Sequence, residues 1–536
     1  MAAPCRACVR SRSRRIPSVH RFYLGCALSG LRFAAAFVLP AGPPTFASCY
    51  HAHLYPVRRA RPVAVIDSSM FKLTNTLTGE QEVFEPQDKE TARMYTCGPT
   101  VYNFVHIGNL RTFVFQDILR RHLSSKWNIR HVMNITDIDD KIIAGSIETG
   151  QDIKSYTTVY TTAFFEDCEK LRIQKPEIIA PATEHIEEMI DLVNRLLAAG
   201  YAYREGDSIY YRISRFPAYG RLSKLDKREL KVGARIDADE YEKEESRDFV
   251  LWKAPKDPRE PRWPAPFGEG RPGWHLECSA MAMKYLGDTL DLHCGGIDLL
   301  FPHHENEIAQ SEAATGHTFV RFWVHSEHLL VDGEKMAKSK GNFFTLRDLL
   351  DKGYDALAVR YLLVSVRYRK QLNFTLAGLK EAQAALDRIK EFLFRLKTAK
   401  LQPRNNAILA GRLAASREQF EAALDDDLNT SGALAAIFVL ISDANIALEE
   451  GRLGEENRAE IQEWFKVIDV RLGIVPAMEP PVHGDKQVEE IEAMVRRRNE
   501  ARRTRDFELS DQIRRQLLDR GVVIEDTREG TRWRLK

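Results

Sequence analysis

The first 66 residues contain neither aspartate nor glutamate, and the first lysine of the chain is Lys72. Acid-free stretches that carry arginine and serine are typical of organelle transit peptides. A secretory signal fits less well, because Arg32 interrupts the one apolar run, which is also too short to span a bilayer. The other interpretations are a disordered tail without a folded role before a domain that starts at Met70, or a mis-assigned start, with the true start at Met70. We therefore expect a cytoplasmic protein, or a mitochondrial or plastid protein if residues 1–69 are a transit peptide.

Cysteine is scarce, with eight residues in 536. Half of them lie in the tail, where we interpret the CxxC spacing of Cys5 and Cys8 as accidental. The other four are too widely spaced for the disulfide framework of a small secreted domain. We expect a reducing compartment and one or two functional thiolates. The four cysteines of the body are Cys97, Cys168, Cys278 and Cys294.

No strong charge balance points to a partner, since the net charge is only +2. Nucleic-acid binding must therefore be argued from local patches. The hydrophobic share of 44% and the charged share of 29% are those of a soluble globular protein. A chain of this length exceeds one compact core, so we expect three or four domains.

A strand–helix–strand pattern opens the body of the chain. Residues 92–97 form a short extended run that ends at Gly98, and residues 110–123 place apolar side chains at helical spacing. A second apolar run follows at residues 131–135. This order predicts a parallel sheet with helices on its faces.

The second half of the chain changes character. Residues 376–475 are rich in alanine and leucine and are predicted to be helical. The aspartate run 425–427 suggests a cation site, but we favour a helix-opening turn. Prolines and a glycine mark a linker at residues 476–486. An arginine-rich helix and a hairpin-like end are predicted after it.

A histidine and glutamate pair suggests a metal site. Pro302 is a natural helix opener, so His303 and Glu307 are expected at positions i and i+4 of one helical face. His304 and Glu307 would also share a face, and spacing alone does not choose between the pairs. The ordinary alternative is a solvated helix surface.

Two cysteines would complete such a site. Zinc accepts thiolate, imidazole and carboxylate ligands together. Cys97 and Cys278 could supply the sulfur if the sheet brings its two halves together. Against this, a buried cysteine is usually only a small hydrophobic residue.

Four long strings stand out in the body of the chain, at residues 95–102, 134–141, 271–280 and 301–310. They resemble strings of the cysteinyl-tRNA synthetase family, a family of class I enzymes, and the resemblance runs from about Met70 to the C-terminus. It implies an α/β fold: a Rossmann-like parallel-sheet catalytic domain with an inserted connective domain, a helical bundle and a small C-terminal anticodon-binding module. The expected segments are a tail (1–69), the first half of the catalytic domain (70–184), the insertion (185–270), the second half (271–315), a KMSKS-loop and stem-contact region (316–375), the helical tRNA-binding domain (376–475), a linker (476–486) and the C-terminal module (487–536).

The resemblance also implies a ligand set. One zinc ion in that family is held by two cysteines, a histidine and a glutamate, which map onto Cys97, Cys278, His303 and Glu307. Cysteine and serine are nearly isosteric, and shape alone would separate them by about 10²-fold or less. A zinc ion that binds the substrate thiolate prefers sulfur to a hydroxyl by its chemistry. Trp274 is expected to wall the cysteine pocket.

Two motifs are expected to handle ATP. The string from His106 through Gly108 to Asn109 resembles the HIGH motif, at a helix N-terminus whose N–H groups face phosphate. Asn109 replaces the last histidine and cannot carry charge. Lys335 and Lys338 resemble the lysines of the KMSKS loop and would neutralise departing pyrophosphate. Without the resemblance, a solvated lysine loop would be the preferred interpretation.

A glycine pair completes the expected adenylate site. Gly295 and Gly296 would let the nucleotide lie on the backbone, and Asp298 would accept from ribose hydroxyls. The alternative is a strand-end turn with a capping aspartate.

The implied reaction is activation of L-cysteine by ATP with magnesium, followed by transfer to tRNA(Cys) bound by the helical region and the arginine-rich end. No membrane is expected to take part. One alternative is the cysteine ligase of mycothiol biosynthesis, which shares the core but lacks a full anticodon-binding end. The other is a catalytically silent zinc- and RNA-binding relative.

Overall fold

The computed structural model describes residues 70–224, 248–337, 340–477, 485–520, 522–527 and 530–535. The predicted tail, Lys338 and most of the predicted linker lie outside these ranges, as does part of the predicted insertion.

A parallel sheet lies at the centre of the described residues between Met70 and Thr375. The elements before the predicted insertion are β1 (Lys72–Thr74), β2 (Gln81–Val83), β3 (Thr91–Thr96), α1 (Ile107–Leu123), β4 (Asn128–Ile135), α2 (Asp140–Thr149), α3 (Ile153–Lys170) and β5 (Ile178–Pro181). Those that follow are α4 (Ile186–Ala198), β6 (Ala202–Glu205), β7 (Ser208–Tyr211), β8 (Phe249–Lys253), β9 (Arg271–Pro272), α5 (Trp274–Leu286), β10 (Leu290–Gly296), α6 (Glu305–Thr315), β11 (Val320–Ser326), β12 (Leu329–Val331), β13 (Glu334–Lys335), α7 (Leu346–Asp351), α8 (Ala356–Val364) and β14 (Leu372–Phe374).

The strands of this sheet are ordered β11-β10-β3-β4-β5, and every neighbouring pair is parallel. The predicted strand–helix–strand unit is therefore confirmed as β3–α1–β4. From β3 the chain builds outward to β4 and β5 on one side, and later to β10 and β11 on the other. The strand order thus reverses between β3 and β10, which is where open α/β sheets bind their ligands.

A four-stranded antiparallel sheet, β6-β7-β8-β9, is joined to this core. Its last strand, Arg271–Pro272, leads directly into α5 through Gly273. An added Cβ at Gly273 would lie 2.3 Å from the Val250 carbonyl oxygen, so only glycine permits this close approach of α5 to β8.

The predicted start of a helical segment at Pro302 is confirmed. Phe301 is extended (φ −140°, ψ 131°), and helical backbone runs from Pro302 into the regular helix α6, which begins at Glu305. His304 and Glu305 already have helical dihedral angles, so His303 still lies one turn before Glu307.

The remaining chain is helical until its last two strands. Its elements are α9 (Leu376–Thr398), α10 (Ala407–Asp425), α11 (Thr430–Glu449), α12 (Glu455–Leu472), α13 (Asp485–Arg503), α14 (Phe507–Asp519), β15 (Val522–Thr527) and β16 (Gly530–Leu535). Helix α11 is long and apolar enough to cross a membrane by length and composition, but such a helix is also typical of a soluble core. One face of α11 is buried in the apolar core, among it Ile437 and Leu440. The predicted hairpin-like end is confirmed, because β15 and β16 pair antiparallel.

The interpretation of residues 425–427 as a helix-opening turn was wrong. Asp425 is the last residue of α10, and Asp427 and Leu428 have a positive φ of 51°. Asn429, not an aspartate, caps α11 by accepting the Gly432 N–H.

A buried ion pair joins α1 to the helices that follow the sheet. The Arg360 guanidinium, fully buried on α8, donates to Asp117 of α1 at 2.5 Å. It also donates to the carbonyl oxygens of Leu171 and Leu472, at 2.7 and 2.8 Å. One side chain therefore links α1, α8 and the ends of α3 and α12.

Candidate functional site

The predicted site residues come from several segments that meet at the carboxyl edge of the parallel sheet. Cys97 follows β3, and Gly295 and Gly296 end the neighbouring strand β10. Helix α5 brings Cys278 to this edge, and α6 brings Glu307. The location is the point where the strand order reverses.

Four buried side chains form a possible metal centre: Cys97, Cys278, His303 and Glu307. One potential ligand atom from each lies within 4.8 Å of the others. The two Sγ atoms are 3.8 Å apart, and His303 Nε2 is 3.1 Å from Glu307 Oε1. The fold thus brings together the four residues that the resemblance implied, and the identity of the ion stays a prediction.

Two histidines that sequence reasoning did not assign border this centre. His304 Nε2 is 3.4 Å from Cys97 Sγ, and His293 Nε2 is 2.9 Å from Glu307 Oε2. They form a second group with Cys97 and Glu307, also within 4.8 Å. His304 had been left open by spacing. His293 stands two residues before Gly295, so strand alternation placed it on the same face.

The four residues shift each other's pKa values, and the shifts favour a thiolate at Cys278 and a carboxylate at Glu307. Burial opposes ionisation of both thiols, but Cys97 donates to Cys278, which lowers the pKa of Cys278 to about 6 and leaves that of Cys97 raised. Burial also opposes the charge on Glu307, yet His293 and His303 lower its pKa to about 2. Nearby Cys278 and Glu307 overcome burial and raise the pKa of His303 to about 10.

These donors fit a soft or borderline divalent metal. Two sulfurs, an imidazole and a carboxylate are a recognised zinc ligand combination. Glu307 Oε1 is buried, and its ion-pair partner is His303 Nε2 at 3.1 Å, outside ideal hydrogen-bond geometry. A cation bound between these side chains would satisfy this oxygen more fully.

A chain of buried hydrogen bonds connects the two cysteine-bearing segments. Asn134 accepts the Gly98 N–H at 2.8 Å and donates to Thr136 Oγ1 at 3.1 Å. Thr136 in turn donates to Glu277 Oε2 at 3.0 Å. Gly98 follows Cys97 and Glu277 precedes Cys278, so this chain fixes the two thiols relative to each other.

Trp274 lies beside the metal centre, as expected for a pocket wall. It begins α5 one turn before Cys278, and its ring centroid is 4.3 Å from that of His303. The side chain remains 39% exposed, so one face is available to a small molecule. His275 is the neighbour that sequence reasoning missed, with its Nδ1 2.9 Å from that of His303.

The expected ATP motif forms the start of α1. His106 caps the helix by accepting the Asn109 N–H at 3.1 Å, and Asn109 Oδ1 accepts the His106 N–H at 3.4 Å. This reciprocal pair leaves other N–H groups of the first turn for an anion. Burial lowers the pKa of His106, against the opposing charge of Asp298, which favours a neutral imidazole. An added Cβ at Gly108 would crowd the His106 ring at 3.0 Å.

The second ATP segment lies against the first. Lys335 is exposed in β13, and the Met336 methyl would be 3.2 Å from an added Cβ at Gly108. The Phe344 carbonyl oxygen accepts the Ile107 N–H at 2.9 Å, which holds the segment between β13 and α7 against the start of α1. Met336, which follows Lys335, thus lies against the helix N-terminus, while Lys338 lies outside the described residues.

The glycine pair borders both halves of the site. An added Cβ at Gly295 would lie 2.7 Å from His304, and one at Gly296 would lie 2.3 Å from Asp298 Oδ1. Asp298 is exposed, and the turn Ile297–Leu299 has no side-chain cap, so this aspartate does not act as the capping residue considered above.

Comparison with known proteins identifies the family. The chain matches the model of the class I (C) tRNA synthetase catalytic domain over residues 83–384, a DALR domain over 419–472 and the cysteinyl-tRNA ligase anticodon binding domain over 486–534. It is 50% identical over 464 residues to the cysteine–tRNA ligase of Solibacter usitatus, covering 86% of this chain and 99% of that one. This chain belongs to the cysteine–tRNA ligase family.

Other members of the cysteine–tRNA ligase family agree. The enzyme of Koribacter versatilis is 45% identical over 493 residues, covering 87% of this chain and 99% of that protein. The fold resembles Mycobacterium tuberculosis methionyl-tRNA synthetase in complex with methionyl-adenylate (TM-score 0.52, 16% identity, 72% of this chain and 92% of that chain). It also resembles the LeuRS–tRNA–LeuAMS complex of Agrobacterium radiobacter K84 (TM-score 0.53, 11% identity, 73% and 85%). The class I synthetase fold expected from the sequence is confirmed.

Proposed function

We propose that this protein activates L-cysteine with ATP and magnesium to cysteinyl-adenylate, then transfers the cysteinyl group to tRNA(Cys). We further propose that zinc bound by Cys97, Cys278, His303 and Glu307 selects cysteine against serine. The observation that carries the selection step is the convergence of these four buried donors beside the predicted adenylate site.

Selection by shape alone is insufficient for this substrate. A pocket that only matches the size of cysteine would favour it over serine by about 10²-fold or less. Zinc held by the four donors would supply a Lewis acid that prefers a thiolate to a hydroxyl as a further ligand. Trp274, which stacks on His303 and keeps one face exposed, would cover the bound amino acid and exclude water.

The residues at the other end of the site would act on ATP. The N-terminus of α1 offers backbone N–H groups to the α-phosphate, and the His106 cap fixes that first turn. Lys335 and Lys338 would neutralise charge on pyrophosphate as it departs. Asn109 contributes a hydrogen bond to the cap and no charge, so His106 would carry the histidine part of this motif alone.

The test compares two buried cysteines. Cys278→Ser removes one donor of the metal centre, whereas Cys294→Ser changes a thiol buried in β10 outside that centre. We expect Cys278→Ser to lose stoichiometric zinc and most of its preference for cysteine over serine in ATP–pyrophosphate exchange. We expect Cys294→Ser to retain both.

Three results would contradict the proposal. They are a wild-type protein without zinc after metal-buffered purification, a Cys278→Ser variant that still prefers cysteine as before, or no cysteine-dependent exchange at all. Charging of purified tRNA(Cys), with an amino sugar offered as the competing acceptor, tests the transfer step separately.

A further inference from the structure

Three consecutive carboxylates at the end of α10 take no part in the chemistry proposed above. A run of like charges is ordinarily a solvated surface. Here, however, the side chains of Asp425 and Asp427 are only 7% and 9% exposed, whereas Asp426 is 46% exposed. Each of the two buried carboxylates contacts the first part of the chain.

Asp425 contacts the C-terminal end of α1. It accepts from His122 Nε2 at 2.9 Å and from Lys126 Nζ at 2.8 Å. Arg471 lies with its Nη1 3.3 Å from His122 Nδ1, and an arginine can only donate. His122 therefore carries its proton on Nε2 and donates it to Asp425.

Asp427 contacts the first strand and the loop after α8. Its Oδ1 accepts from the Thr74 N–H at 2.9 Å and from the Tyr368 hydroxyl at 2.5 Å, and its Oδ2 accepts from Thr74 Oγ1 at 2.8 Å. The Tyr368 ring stacks on Phe115 of α1, with centroids 4.3 Å apart. Asp427 also donates its N–H to the Lys72 carbonyl at 3.0 Å.

Both aspartates thus contact, directly or through Tyr368, the part of α1 from Phe115 onward. The N-terminal part of α1, which carries the predicted ATP motif, is fixed to the sheet independently. Arg111 donates to the carbonyl oxygens of Glu327 and His328 at 2.9 and 2.6 Å, and Thr112 Oγ1 is 2.9 Å from Ser326 Oγ. Loss of the aspartate contacts would therefore shift the helical region rather than the start of α1.

We propose that Asp425 and Asp427 are positioning residues, which hold the helical region α9–α12 where tRNA must be presented for aminoacyl transfer. This inference rests on the proposed function. Adenylation requires only ATP and cysteine at the sheet edge, and neither aspartate contacts the residues placed there. Transfer requires the tRNA terminus at the adenylate, and a misplacement of about 1 Å can cost about 10²-fold in rate.

The experiment measures both half-reactions on the full chain. Asp425→Ala and Asp427→Ala are compared with Asp426→Ala, the control from the same run, whose half-exposed carboxylate accepts from Gln81 and Arg367 at the surface. We expect the kcat of tRNA(Cys) charging to fall about tenfold in the first two, with ATP–pyrophosphate exchange and the KM for ATP and cysteine within about twofold of wild type. Asp426→Ala should leave both reactions within about twofold.

A milder variant guards against loss of folding. Tyr368→Phe keeps the ring stacked on Phe115 and removes only the hydroxyl group that donates a hydrogen bond to Asp427. It should show the same separation, with charging reduced about threefold. Equal losses in both half-reactions, or unchanged charging in the aspartate variants, would overturn the inference. Absence of charging by the wild-type protein would instead refute the proposed function.

Discussion

Replacing Thr136 by valine should weaken zinc binding without touching any of the four donors. The substitution keeps the shape of the side chain but removes the hydroxyl that links Asn134 to Glu277. All three residues are at most 1% exposed. Water therefore cannot replace the lost partners without opening the core.

The expected size of the effect follows from those contacts. The change leaves the Asn134 amide and Glu277 Oε2 without a partner, at about 1–3 kcal/mol for each buried group. Relaxation of Asn134 would release the Gly98 N–H and with it Cys97, while Glu277 adjoins Cys278. Loss of hydrogen bonds that orient metal ligands typically costs about 10–100-fold in metal affinity. We expect the zinc Kd of Thr136→Val to rise by that factor.

Competition with a chromophoric chelator measures this Kd directly, and cobalt substitution reports on the ligand geometry through its absorption spectrum. Thr157→Val is a matched control, because its hydroxyl is also buried but bonds only to its own helix. A Thr136→Val protein that is less stable yet binds zinc within about twofold of wild type would refute the reasoning. It would show that the hydrogen-bond chain supports folding and does not position the thiols.

Three further predictions concern stability and adenylation. Arg360→Met should cost about 3–5 kcal/mol in a urea titration because it unpairs a buried charge, whereas Arg412→Met, at an exposed pair, should cost about 0–1 kcal/mol. Burial lowers the pKa of His131 to about 3. The contribution of its neutral imidazole to the free energy of unfolding is therefore full above about pH 6.5 and is lost as the pH falls toward 3. His131→Gln should reduce the number of protons taken up on unfolding below about pH 6.5 by up to one. The matched change at the exposed His317, His317→Gln, should leave that number unchanged. Gly108→Ala places a methyl 3.0 Å from an imidazole ring and should reduce the ATP–pyrophosphate exchange rate about tenfold, with tRNA affinity unchanged.

Sequence reasoning reached the parts of this site that depend on local periodicity. Helical spacing pointed to a histidine–glutamate pair at Glu307, although only the resemblance chose His303 over His304, and the strand–helix–strand unit followed from apolar periodicity. Such periodic patterns span about ten residues, so they can be recognised in the sequence without knowledge of tertiary contacts.

Contacts between distant segments could not be found in this way. Cys97 and Cys278 are 181 positions apart, and only pairing of β3 with β10 and the packing of α5 bring them together. His293 was not assigned a role, because the segment that contains it was interpreted only as a glycine turn that binds the nucleotide. The aspartate run was misassigned because a short polar cluster looks the same whether it opens a helix or closes one, and its partners lie hundreds of residues away.

The spacing of the metal donors has a consequence for how the protein matures. Cys278, His303 and Glu307 lie within 30 residues of one another, whereas Cys97 and Glu307 bracket more than 200 residues, so the unfolded polypeptide cannot gather all four donors without a loss of chain entropy. The complete four-donor centre would form only after the parallel sheet has closed. Non-local sheets of this kind form slowly. Once bound, the ion would join the two ends of that long loop, so metal depletion should accelerate unfolding more than it slows refolding.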